Sequence, residues 1–114
     1  MKYVQNQIQY IEFLTPNVQH IRRFYTEAFG WKFTDYGDAY TAFEGEHVDG
    51  GFAMGAPKPG SVLVILYSKK LEETRAAVQG AGGTITKDIF SFPGGRRFHF
   101  TDPDGNELAV WSDI

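Results

Sequence analysis

Few side chains in this sequence can do chemistry, and two of them, Glu12 and His99, combine a titratable group with a place on a strand. In "YIEFL", alternation puts Tyr10, Glu12 and Leu14 on one face and Ile11 and Phe13 on the other. In "RRFHFTD", Phe98 and Phe100 take the face that meets a helix, leaving Arg97, His99 and Thr101 opposite. Imidazole changes charge near neutral pH, so His99 is the best single residue for acid–base work or ligand contact. The plainer role for it is a structural histidine in a polar pocket. A carboxylate on a cavity-facing strand needs a partner or water. Arg97 and His99 are the expected partners of Glu12, which then serves as general base, ligand anchor or half of an ion pair. No reaction follows from these residues. Glu12 and His99 are the catalytic candidates, and a ligand set of Tyr10, Glu12, Tyr40, Phe52, Met54, Arg97, His99 and Trp111 surrounds them. Trp111 would either stack on a planar ligand or fill the cavity. His20 falls on the polar side of a helix and His47 in the "GEHVDG" turn, so the three histidines form no metal cluster.

Other chemistry is excluded by composition. The absence of cysteine removes thiol nucleophiles, disulfides and thiolate metal sites. A net charge of −3 argues against a nucleic-acid partner, since phosphate backbones reward a basic patch. No apolar run reaches membrane-spanning length, and "MKYVQNQIQYIEF" lacks the apolar stretch of a signal peptide, so the expected location is the cytoplasm, away from membranes. "PGGRR" lacks both a following helix and a GK[ST] sequence, so it is not read as a phosphate loop.

The elements that must position these residues repeat. "QIQYIEFLT" predicts a strand, and "NVQHIRRFYTEAFG" a helix capped by Asn17 and Gly30 with Val18, Ile21, Phe24, Tyr25 and Phe29 inward. "WKFTDY", "AYTAFEG" and "GGFAMG" then predict three strands. "APKPG" at 56–60 reads as a linker, after which the order restarts. "SVLVILYS" predicts a buried strand, "KKLEETRAAVQGAGG" a helix, and "TITKDIFS", "RRFHFTD" and "NELAVWS" three more strands. The chain is therefore expected to be one α+β domain over 1–114. Module one covers about 6–55 and module two about 61–112, each βαβββ. The curved mixed sheets would form a cup, with a helix on the outer face of each, and small-molecule sites favour such concavities.

"FYTEAFGW" at 24–31, "GAGG" at 80–83 and "DPDGN" at 102–106, in this order across two repeats, resemble the vicinal oxygen chelate superfamily. This is the glyoxalase/bleomycin-resistance/dioxygenase group, and the resemblance covers the whole chain. It implies paired βαβββ modules, frequent homodimers, and in many members a divalent metal that polarises adjacent substrate oxygens. Other members only bind and sequester a drug. Carried onto this sequence, the ligand positions fall on Tyr10, near Val62, within "GGFAMG" and on Ala109, of which only Tyr10 offers a donor. Glu107 is the nearest carboxylate to the last of these. The resemblance thus implies a cup without the metal and without any other cofactor, in a protein that binds a small molecule. The alternative is a metal-dependent glyoxalase-like lyase or isomerase, or a ring-cleaving dioxygenase, in which a divalent metal would be the cofactor. A dimeric or regulatory domain with no ligand is the third reading.

Overall fold

Strand alternation and helix periodicity translate into two copies of one layered unit. The computed structural model describes residues 3–114. The first unit runs β1 (Tyr10–Thr15), α1 (Val18–Phe29), β2 (Phe33–Asp35), β3 (Tyr40–Phe43) and β4 (Asp49–Met54). The second runs β5 (Val64–Tyr67), α2 (Leu71–Gly80), β6 (Thr84–Phe92), β7 (Gly95–Thr101) and β8 (Glu107–Ser112). The sheets are ordered β1-β4-β3-β2 and β5-β8-β7-β6. In each, the first strand pairs in parallel with the last and the remaining pairs are antiparallel, so both sheets are mixed and open.

The first helix starts and stops on local chemistry. The Asn17 side chain accepts a hydrogen bond from the His20 amide at 3.0 Å, which satisfies one of the helix's orphan donors. Gly30 ends it at φ 74°, a left-handed conformation that costs glycine little. Its inward stripe of Val18, Ile21, Phe24, Tyr25 and Ala28 is buried. The second helix buries only Leu71 and Val78. Both helices and both sheets contribute to one core, which joins Phe24, Tyr25 and Phe52 to Phe98, Phe100, Leu108 and Val110. The modules are thus welded through α1, whose Phe24 and Phe29 rings lie 6.2 and 5.8 Å from Phe100 on β7.

The strand "SVLVILYS" departs from its expected burial. β5 is the edge strand of its sheet, with Val64 and Leu66 packed on the core while Ile65 and Tyr67 are 44% and 48% exposed. An apolar run on an edge strand alternates between core and open face, and only a strand covered on both faces buries every residue.

The DPDGN turn is tied to the first helix. Asp102, buried, accepts from the Asp104 amide at 2.9 Å and the Asn106 amide at 3.0 Å, which closes the turn locally. It also accepts from the Asn106 side-chain amide at 3.2 Å and from the buried Tyr25 hydroxyl at 2.8 Å. Tyr25 belongs to "FYTEAFGW", so two of the stretches that carried the family resemblance meet in one hydrogen bond. Burial, and then the Asp102 carboxylate beside it, push the Tyr25 hydroxyl well above its ordinary range.

Candidate functional site

With the helices on one side, each sheet keeps an uncovered face. On module one, Tyr10, Glu12 and Leu14 of β1 are partnered in register with Asp49, Gly51 and Ala53 of β4. Tyr40 of β3 is partnered with Ala53. The Tyr40 hydroxyl donates to Glu12 Oε1 at 2.9 Å, and the Tyr10 and Tyr40 hydroxyls are 2.5 Å apart. Burial, and then these two bonds, raise the Tyr40 hydroxyl far above its ordinary value. Gly51 makes this packing possible, because a Cβ there would sit 2.5 Å from the Tyr40 hydroxyl and 2.7 Å from that of Tyr10.

On module two, Arg97 and His99 of β7 are partnered with Trp111 and Ala109 of β8, and Phe98 and Phe100 go into the core as the alternation predicts. His99 is 7% exposed, and its Nδ1 lies 3.0 Å from Glu107 Oε2. A carboxylate can only accept, so Nδ1 carries the hydrogen and Nε2 is left as the second ring nitrogen. Nε2 is buried without a partner, as is Arg97 Nε. The Arg97 guanidinium lies 5.5 Å from the Phe90 ring and 5.7 Å from the Phe92 ring, within cation–π range. Trp111 packs against Tyr67 and Phe92 with centroids at 5.3 and 6.4 Å.

The two faces meet at a cleft of about 780 Å³ between β1, residues 58–64 and the ends of β7 and β8. Glu12, His99, Thr101, Asn106 and Glu107 line it, with Lys58 at the linker. Of the eight ligand candidates, Tyr10, Glu12 and Tyr40 are brought together on module one, and Arg97, His99 and Trp111 on module two.

Two candidates are placed elsewhere. Phe52 is fully buried on the helix side, stacked 5.1 Å from Phe13 and tilted against Tyr25 at 5.3 Å, and is core rather than cup wall. Met54 shares its parity, at the end of β4, and is 50% exposed. The cup positions of β4 belong to Gly51 and Ala53, whose small size hides the face from any reading of hydrophobic pattern. Glu12 is also corrected in its partner, which is Tyr40 and not Arg97 or His99. Glu107, named only as the nearest carboxylate, is the residue that orients His99. Its matching parity with Ala109 was the signal for it.

The carried-over metal positions do not fit a divalent cation. The Tyr10 hydroxyl is engaged by Tyr40, and Val62, Gly51, Ala53 and Ala109 offer no side-chain donor. Among the described residues, no group of three or more His, Asp or Glu side chains is arranged to hold a metal ion. No helix among them is long and apolar enough to cross a membrane.

The sequence matches a family model described as Glyoxalase/Bleomycin resistance protein/Dioxygenase superfamily over residues 7–110. No curated protein matches the chain. Among solved structures, the chain is similar to a glyoxalase-related enzyme from Fulvimarina pelagi, with TM-score 0.85 and 18% identity over 94% of this chain and 88% of that one. It is also similar to a glyoxalase/bleomycin resistance protein/dioxygenase family enzyme from Burkholderia phytofirmans PsJN, with TM-score 0.83 and 14% identity over 93% and 98%. A hypothetical protein from S. aureus superposes with TM-score 0.80 and 14% identity over 97% and 96%. At these identities the likeness is one of fold.

Proposed function

The chain belongs to the Glyoxalase/Bleomycin resistance protein/Dioxygenase superfamily, and from that premise we propose that it binds a small molecule in the inter-module cleft without a metal ion. The observation that carries this reading is the set of side chains at the cleft: Glu12 from one module and the His99–Glu107 pair from the other. These are polar anchors in a concave site, which is how small-molecule pockets set orientation. The donors that would hold a cation are replaced by Gly51, Ala53, Val62 and Ala109. With Nδ1–H fixed on Glu107, neutral His99 holds a buried, unpartnered lone pair at Nε2, which a ligand's donor would satisfy by displacing the side chains over it; protonated, it would take an anion. A homodimer belongs to the same reading, supported by the exposed Ile65 and Tyr67 on the helix-free face of module two. Light scattering should return twice the mass of 12.8 kDa, and the monomer mass would remove that part of the reading.

The test is elemental analysis of the purified protein beside a thermal-shift titration with Ni, Zn, Fe(II), Mn and Mg. The expected result is no stoichiometric metal and no stabilisation. Planar drugs and small acids are then screened, and any that binds the cleft should lose about tenfold or more in affinity on Glu12→Gln with His99→Ala. A stoichiometric metal with a large shift would overturn the reading. It would favour a metal-dependent lyase, isomerase or ring-cleaving dioxygenase instead.

A further inference from the structure

The uncovered face of module one has a second hollow, of about 630 Å³, apart from the inter-module cleft. Tyr10, Tyr36, Tyr40, Glu44, Asp49 and Lys32 are among its lining residues. Two of these tyrosines belong to the hydrogen-bonded chain that ends on Glu12, and each has a single hydroxyl hydrogen to give it. Tyr40 has one hydroxyl hydrogen and spends it on Glu12 Oε1. The 2.5 Å contact between the two hydroxyls therefore needs the hydrogen of Tyr10. Both phenol hydrogens point along the chain toward the carboxylate. Tyr10, a residue 43% exposed, is left with lone pairs on its oxygen and nothing to donate.

We propose that this hollow is a binding site for an organic cation bearing N–H groups, an ammonium, amidinium or guanidinium, which donates to the Tyr10 oxygen. Three features converge on that class. The chain of hydroxyls is polarised by the Glu12 charge, which raises the acceptor strength of its far end. Tyrosine ring faces attract cations. Glu44, an exposed carboxylate on the lining, offsets Lys32 there, so the hollow carries no net positive charge against a cation. An anion or a ligand with only acceptors would meet the lone pairs of Tyr10 with no hydrogen to share. Gly51 is part of the site although it touches no ligand, since any side chain there would drive the two hydroxyls apart.

The experiment titrates the protein with benzamidinium and, separately, with benzoate, its planar anionic counterpart, following tyrosine ring resonances by NMR. Benzamidinium is expected to shift Tyr10, Tyr36 and Tyr40 and to saturate, with benzoate at least about tenfold weaker. Tyr10→Phe removes the acceptor and Gly51→Ala disturbs its packing, so each should weaken benzamidinium by about tenfold. The folded state of each variant is checked by its own spectrum. His99→Ala leaves this binding unchanged, which separates the hollow from the cleft and lets either site fail alone. Benzoate binding as tightly as benzamidinium would overturn the proposal, as would full affinity in Tyr10→Phe or no saturation up to about 10 mM.

Discussion

Replacing Asp102 with alanine should lower the unfolding free energy by about 3 kcal/mol, which for a chain of this size moves the melting temperature down by about 12 °C. The carboxylate receives four hydrogen bonds, from the Tyr25 hydroxyl, the Asp104 and Asn106 amides and the Asn106 side chain. Alanine keeps none of them. The amides of an open turn recover water, but the Tyr25 hydroxyl is fully buried and does not. Asp102→Asn keeps one acceptor oxygen and should cost about 1 kcal/mol. Chemical denaturation of the three proteins checks the series, and a loss under 1 kcal/mol in the alanine variant would mean that the DPDG backbone holds the turn unaided.

The same residue sets a pH dependence. Burial raises the Asp102 carboxyl above its ordinary value of 3.8, against the opposing pull of the Tyr25 and Asn106 hydrogen bonds. The folded protein therefore holds this proton more tightly than the unfolded chain. Its contribution to stability is fullest below the unfolded value and declines as pH rises through the folded one. Measured from pH 3 upward, wild type should lose ground relative to Asp102→Asn, which has no proton to release. A difference between them that stays flat with pH would show that the hydrogen bonds cancel the burial.

Asp102 also marks the border of what the sequence reveals. "DPDGN" is legible as a turn because Asp, Pro and Gly favour reversals for local reasons. The link from Asp102 to Tyr25 spans 77 positions and has no local signature. The same division runs through the site. "RRFHFTD" alternates strongly, so the faces of His99 and Phe98 follow from it directly. The cap at Asn17 and the left-handed Gly30 follow from residue type. Glu12 could be placed on its face, but its partner could not be found. Tyr40 lies one strand beyond β4 and reaches Glu12 across Gly51, and that route exists only once β1, β4 and β3 are in register.

Phe52 is where the distinction has its largest measurable consequence. Phe52→Ala should destabilise the fold by about 3–5 kcal/mol. The ring is fully buried between Phe13 and Tyr25, with Phe33 and Phe43 at 6.1 and 6.3 Å, so its removal leaves a cavity walled by rings that cannot all collapse inward. Met54→Ala, two residues along the same face but half exposed, should cost less than about 1 kcal/mol. Denaturant unfolding of the pair reads the contrast. A cup wall would behave the other way, with stability kept and ligand affinity changed. Were Phe52→Ala to stay within 1 kcal/mol of wild type, β4 would be one residue out of register. Such a slip would carry Gly51 away from the two tyrosine hydroxyls and dismantle the chain to Glu12. The stability of a core variant thus tests the geometry of the opposite face, since one strand register fixes both.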